Sequence, residues 1–368
     1  MTKMQPPLAD NVNEEPVISP GTAPALRASQ STVPSPRRRS RWASMASSTE
    51  FQLLIGLVAL TAIYAVLYPD TFATTQNFTN MAVVAGILLV VAIGQTIALL
   101  VGGFDLSVSA NMGFVSVLVA LNLIGGRSIA ISIAIALVAG AVVGLVNGIM
   151  IAILKITPFV ATLGTLTFLG GYTNLLSNGQ SVPGLPAEFR YFGGGNWGPL
   201  PSALCIAVVV LIIAWAILSR TRLGLYIYAI GGSRETARTA GVVVARYELL
   251  AYVLCGLFAA LAGVMLASRV TVGQDSLGAG YDLLSIATAV IGGVAIGGGT
   301  GKLSGVVLGV ATLVVLTTGL DIAGLSPFIK QMVTGVILIV AVLVAKMRDF
   351  DLSALLRIRR PHHPTPSH

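Results

Sequence analysis

Long apolar runs separated by shorter polar stretches dominate this chain. A bilayer span needs roughly 20 apolar residues, fewer where a helix is broken or shielded. On that length ten segments are predicted: 51–68, 81–101, 106–124, 129–153, 158–176, 203–218, 249–268, 283–297, 303–320 and 327–345. The pattern predicts an all-α polytopic membrane protein of about ten transmembrane segments. An even number puts both termini on one side. With that side cytoplasmic, 18 of the 22 Lys and Arg lie inside, among them Lys155, Lys302 and five in the loop 219–248 (Arg220, Arg222, Arg234, Arg238 and Arg246). Only Arg127, Arg190, Arg269 and Lys330 fall outside, the asymmetry that the positive-inside rule requires.

Residues 1–49 lack an apolar period, are rich in Pro, Ser and Thr, and hold the cluster Arg37-Arg38-Arg39-Ser40-Arg41, so a disordered basic tail is expected there. Residues 50–348 form the membrane domain, and 349–368 a basic cytoplasmic C-terminal tail. A secretory signal is the competing reading of 37–68. The run 51–68 is longer than a signal's apolar region and no small-residue cleavage site follows, so a retained first span is expected. GAVVG at 140–144 followed by Pro158-Phe159-Val160 echoes GVVLG at 305–309 followed by Pro327-Phe328-Ile329. The echo joins the fourth and ninth segments, an odd offset of five. It suggests an inverted five-plus-five repeat, as in transporters, with chance similarity between two glycine-rich runs as the alternative.

Composition agrees with a membrane solvent: 55% of residues are hydrophobic, 10% are charged, and the mean hydropathy is +0.87. The net charge of +8 belongs to the cytoplasmic side, so membrane lipid is an expected partner and nucleic acid is not. Cys205 and Cys255 lie in apolar runs and read as small hydrophobes. The three histidines, His362, His363 and His368, are all in the C-terminal tail, and no metal or catalytic constellation occurs in the spans.

One stretch invites a nucleotide. GGGTGKLSG at 297–305 resembles a phosphate loop, but the required pattern puts Ile296 at the first glycine and Leu303 at the metal-binding hydroxyl, and both fail. Asp105 is more informative, because a carboxylate at membrane depth costs about 2.5–3.5 kcal/mol on insertion scales. Gly102-Gly103 break the helix before it, and either Asp105 or Ser107 is placed to cap the next one. The second reading is that the broken helix lines a translocation cavity, where irregular backbone is tolerated. Gly140, Gly144 and Gly148 make a smooth helix face for close packing, with Asn147 beside them. Asn147, Asn111, Gln95, Thr162, Thr165 and Asn174 are polar points that bond neighbouring helices or line a polar path.

In the loop 219–248, Ser233 is a good N-cap, Glu235 stands in a first turn and Gly241 is a natural stop, predicting a two-turn helix over 233–240. It is either a solvated connector or a helix shaped to dock in another protein's groove.

Four motifs in order carry a resemblance. GGFDLSV (102–108), TLGTLTFLGGYTNLLSNGQSVPGLP (162–186), RLGLYIYAIGGSRETARTAGV (222–242) and VIGGVAIGGGTGKLSGVVLG (290–309) resemble the membrane permease subunits of bacterial ABC importers for monosaccharides, of the ribose, xylose, arabinose and galactose type. The likeness runs from about residue 50 to 348. Glu235, Ala237 and Gly241 match the spacing of the element through which such permeases contact their ATPases, with Ser233 and Arg238 beside them, although Thr236 replaces an alanine and no Leu-Pro follows. Ser109 stands where the family usually has Gly, Gly170-Gly171-Tyr172 where it has Arg-Gly, and Lys302 where it has a small residue, which bears on the solute rather than on the fold.

The resemblance implies a bacterial plasma-membrane permease that pairs with an identical or related second permease subunit. An extracytoplasmic solute-binding protein feeds it, and the loop 177–202, the largest outer surface with four prolines and the triple glycine 193–195, is where that protein is expected to dock in part. A separate ATPase drives it and uses the ATP and magnesium, so the chain itself binds no cofactor and is not an enzyme. Its translocation pathway candidates are Gly102, Gly103, Asp105, Ser107, Asn111, Asn147, Thr162 and Asn174. The alternatives are an ABC permease for a nucleoside, a branched-chain amino acid or another small polar solute, a self-sufficient secondary transporter, and a non-transporting scaffold.

Overall fold

The structure, a computed structural model, describes residues 49–349. The two tails expected at 1–49 and 349–368 lie outside the described residues, apart from Thr49 and Asp349. Twelve helices carry the described chain: α1 (Thr49–Leu67), α2 (Thr75–Leu100), α3 (Val108–Ile124), α4 (Ile129–Gly148), α5 (Pro158–Ser177), α6 (Ser202–Arg220), α7 (Arg222–Gly232), α8 (Arg234–Thr239), α9 (Val244–Val270), α10 (Tyr281–Ile291), α11 (Leu303–Ile322) and α12 (Pro327–Asp349), besides single turns. A π-helical turn, Ile149–Ile153, extends α4. A two-residue hairpin, Asn196–Trp197 with Leu200–Pro201, lies in the loop before α6.

Each predicted apolar segment coincides with a helix. Among the described residues seven are long and apolar enough to cross a membrane: α1, α2, α4 with its π turn, α5, α6, α9 and α11. The eighth predicted segment, 283–297, is cut short. Its helix α10 stops at Ile291, after 11 residues, about 16 Å at 1.5 Å per residue and half of a hydrocarbon core of about 30 Å. Gly292 and Gly293 end it, with Gly293 at φ +85°. The third, α3, has 17 residues.

The central helix is α2, with 89% of its most apolar stretch buried. It packs against α6, α9, α10 and α11. The other long buried helix, α9, also packs along α3 and α4, through the glycine face expected on α4. A β-carbon at Gly144 would lie 2.3 Å from Tyr252 O, and one at Gly140 would lie 2.3 Å from the Ala260 methyl group. Gly256 returns the approach, its β-carbon position being 2.5 Å from Gly140 O. Without a hydrophobic force between helices in lipid, such contact is what holds them. The outer helix α1 buries only Tyr64 and exposes Ile55, Val58, Ile63 and Val66 to the surroundings.

The stretch expected as a loop, 219–248, is mostly helical. It contains α7, which carries a buried face of Gly224, Ile227 and Ile230, and the start of α9. Between them stands α8. Ser233 Oγ accepts from Thr236 N at 3.2 Å, Glu235 lies in the first turn, and Gly241 follows at φ +82°. These are the capping features expected from the local sequence.

Candidate functional site

The break after α2 is built by its C-cap. Gly103 N donates to Ala98 O (3.0 Å) and Gly102 N to Leu99 O (2.8 Å), the paired bonds of a Schellman motif. Gly102 has φ +92°, a conformation that glycine adopts without steric cost. The chain then crosses the interior with its backbone unpaired in any helix, and Gln95 on α2 supplies the missing partners. In the amide orientation that forms both bonds, its nitrogen donates to Asp105 O and its oxygen accepts from Asp105 N, each at 3.1 Å.

Asp105 is 1% exposed. Its Oδ1 accepts from Ser107 N (2.8 Å) and Ser107 Oγ (2.6 Å), and Asn147 Nδ2 lies 3.3 and 3.2 Å from its two oxygens. Asn147 Nδ2 also donates to Ser107 Oγ (2.8 Å), and its Oδ1 accepts from Thr165 Oγ1 (2.6 Å). The sequence left the cap open between Asp105 and Ser107. Here Asp105 holds the turn that starts α3, whereas the Ser107 hydroxyl faces the carboxylate and makes no bond to the helix end. Among the described residues no cation pairs with Asp105. Uncharged donors from the break and α4 compensate it instead, in keeping with the rule that buried polar groups are hydrogen-bonded.

This network joins α2, the break, α4 and α5. A cavity of about 640 Å³ opens beside it between α3, α4 and α5, lined by Phe114, Val143, Met150, Phe168 and Tyr172, and by Thr165 from the network. The remaining candidates are spread out. Asn111 joins helices, donating to Gly256 O (3.0 Å) and Gly140 O (3.4 Å). Thr162 bonds back to Pro158 O (2.8 Å), and Asn174 reaches Asp275 Oδ2 (3.0 Å) at the other end of α5. Removing the Asn147 amide deprives Asp105 and the Thr165 hydroxyl of partners, and a buried group left unpaired costs about 1–3 kcal/mol. Asn147→Ala is expected to lower the unfolding temperature more than Thr165→Val, which removes a bond at a half-buried position. Equal unfolding temperatures for Asn147→Ala and the parent would reject the network as a stabilising element.

The glycine stretch 297–301 has a packing role in place of a phosphate. Gly299 N donates to Leu100 O (2.9 Å) at the end of α2, and Tyr228 Oη on α7 donates to Gly301 O (2.9 Å). Burial raises the Tyr228 phenol above its ordinary pKa, so it stays protonated as a donor. A β-carbon at Gly298 would lie 2.8 Å from Gly102 Cα and 2.9 Å from Gly231 Cα. Three glycine motifs far apart in sequence therefore meet backbone to backbone where α7 ends, one step from Ser233 and α8. Lys302, the residue a phosphate would have needed, pairs with Glu50 at 2.9 Å.

Sequence comparison settles the family. The family described as branched-chain amino acid transport system permease component matches residues 77–342. The chain belongs to this permease family. It is 37% identical over 297 residues to the ribose import permease protein of Bacillus subtilis (strain 168), covering 80% of this chain and 92% of that protein. It is 37% identical over 300 residues to the L-arabinose transport system permease protein of Escherichia coli (strain K12), covering 82% and 91%. The galactose/methyl galactoside import permease protein of Haemophilus influenzae is 31% identical over 297 residues, covering 76% and 88%. No solved structure matches. As a permease subunit the chain is a multi-pass membrane protein and a transport component, not a catalytic enzyme.

The buried charge that the sequence left unmarked in this permease is Glu248, near the start of α9. It is 1% exposed and ion-paired to Arg234 of α8 and to Lys155. The sequence offered only a carboxylate at the edge of the predicted span 249–268, with five arginines in the stretch before it, and the structure carries the helix back to Val244.

Proposed function

We propose that this permease forms the membrane pore of a bacterial inner-membrane ABC importer that carries a monosaccharide inward on ATP hydrolysed by a separate ATPase subunit. The observation that carries this reading is α8. It is a short helix capped at both ends, exposed except for the buried Ala237, and continuous through α7 with the glycine junction at the end of α2. Exposed Glu235 and Arg238 on it are the groups offered to the ATPase. The chemistry of the break, from Gly102 and Gly103 through Asp105 and Ser107 to Asn147, with Asn111, Thr162 and Asn174 along α3 and α5, is the polar element of the pathway.

The family's description speaks of branched-chain amino acids, whereas the relatives matched over most of their length are named for ribose, arabinose and galactose, which favours a sugar. Ten membrane segments, with the half-length α10 as a broken eighth, and both termini cytoplasmic remain the favoured topology, supported by the charge asymmetry. The inverted repeat rests on the sequence echo, and both echoed runs use their glycines for close packing, though against helices that the repeat does not pair. Gly305 and Gly309 of α11 approach Gly292 O and Thr288 O of α10 as closely as Gly140 and Gly144 of α4 approach α9, with β-carbon positions at 1.9 and 2.4 Å. A second permease subunit completes the pore, and a binding protein delivers the sugar to the loop 177–202.

The test is reconstitution in vesicles with the ATPase and binding protein. Uptake of a monosaccharide is expected only with ATP inside and both partners present, and the purified permease alone is expected to turn over no ATP. Uptake that survives omission of the ATPase and collapses with the ion gradient would establish a secondary transporter instead.

A further inference from the structure

Glu248 buries a charge that neither the pathway network nor the helix packing uses. Its Oε1 lies 2.7 Å from Arg234 Nη2, and its Oε2 lies 3.8 Å from Lys155 Nζ. The two cations are more than half exposed, at 53% and 58%, while the carboxylate is 1% exposed. Neither carboxylate oxygen has an aligned hydrogen bond among the described residues. The compensation is therefore ionic, and it comes from two separate parts of the chain. Replacing such a group by a well-packed apolar residue often stabilises a protein, so stability alone does not explain why a carboxylate stands here.

Its partners stand at informative places. Arg234 is the first residue of α8, directly after the Ser233 cap. Lys155 occupies a left-handed conformation, φ +59°, which is unfavourable for a residue with a β-carbon. It sits between the π turn Ile149–Ile153 and α5. Such π turns and strained positions cluster at functional sites. Upstream of this turn α4 ends with Asn147 and Gly148. Downstream, α5 begins at Pro158 and carries Thr165, whose hydroxyl bonds Asn147. A displacement at Lys155 is thus applied to the hinge between the two helices that hold the network.

We propose that Glu248 is a positioning residue that latches α8 to the 149–157 hinge, so that movement of α8 is transmitted to α5 and to the Asn147–Thr165 contact beside the cavity. This rests on the reading of α8 as the ATPase-docking helix. An exposed bridge between Arg234 and Lys155 is impossible because both are cations. A buried carboxylate between them, rooted in the long helix α9, gives both a common anchor. Because one end of the latch is on the docking helix and the other on the hinge, breaking it affects coupling without replacing a residue that lines the cavity.

The experiment uses the complete complex in vesicles and reads sugar taken up per ATP hydrolysed. Glu248→Gln keeps the shape and removes the charge. Per assembled complex, it is expected to leave basal ATP hydrolysis unchanged and to lower uptake per ATP by roughly two- to thirtyfold, the range for substitutions along a coupling route. Lys155→Gln, at an exposed position that does not threaten folding, is expected to lower the same ratio. In the Glu248→Gln background it should have no additional effect. Should Glu248→Gln fail to assemble, Lys155→Gln alone decides, and a parental ratio in that variant overturns the latch. Additive effects of the two substitutions, or a loss of protein with the ratio per complex unchanged, also overturn it and leave a structural ion pair only. Failure of the parental complex to take up sugar on ATP would instead reject the importer reading, and the two failures are therefore distinguishable.

Discussion

Ala237→Pro leaves the permease inserted and assembled but abolishes sugar-stimulated ATP hydrolysis in the reconstituted complex. Ala237 is the buried residue of α8, and its N–H donates to Ser233 O at 3.0 Å. Proline has no N–H to give, and its ring meets the carbonyl four residues back, at a cost of about 3 kcal/mol or more. In a helix of six residues held by caps at each end, that is enough to unfold the element. The long helices on either side, α6 and α9, are held by their own packing and are unaffected. Ser233→Ala tests the same element more gently, since it removes the acceptor for Thr236 N and costs about 1 kcal/mol. Its coupling defect should be the smaller of the two. Charge reversal at Glu235 tests seating apart from folding, because an exposed charge contributes only about 0–1 kcal/mol to stability. Full coupled transport by Ala237→Pro would reduce α8 to a connector.

The second large effect separates two adjacent glycines. A β-carbon at Gly231 would stand 1.9 Å from Leu100 O and 2.3 Å from Gly299 N, both of them backbone atoms. Neither can rotate away, and the Gly299–Leu100 hydrogen bond occupies the same space. Overpacking of this kind costs about 1–3 kcal/mol or more, and here it separates α7 from the break after α2. At Gly232 a β-carbon has no atom within 4 Å. Gly231→Ala should therefore lower the thermal unfolding midpoint of the purified permease and its transport, whereas Gly232→Ala should leave both near the parent. Equal midpoints for the two variants would mean that the three glycine motifs do not form a tight junction.

What was legible in the chain follows from local physics. Apolar runs long enough for a bilayer mark helices whatever their neighbours, because backbone groups in lipid must be paired within the segment. Each predicted segment accordingly meets a helix. Caps are equally local: Ser233, Gly241 and the Gly102-Gly103 break act within one turn, and the structure has them where residue type alone suggests. Failure of the phosphate-loop pattern at Ile296 and Leu303 was also a local matter.

Tertiary structure decided the rest. A helix apolar on every side has no hydrophobic phase, so the sequence of α2 does not reveal that it is the buried centre, nor does that of α1 reveal that it lies at the edge. The short α10 was overestimated because Val294 and Ile296 continue its apolar run, while Gly292 and Gly293 end the helix beneath it. Asp105 meets Asn147 across 42 residues, and Cys255 approaches Gln95 across 160. Gly102, Gly231 and Gly298 meet only because three separate backbones converge where no side chain fits. Glu248 looked like the ordinary polar edge of a span until folding buried it between Arg234 and Lys155. Composition and period specify which segments enter the membrane, and helix packing alone specifies which polar atoms face one another inside it.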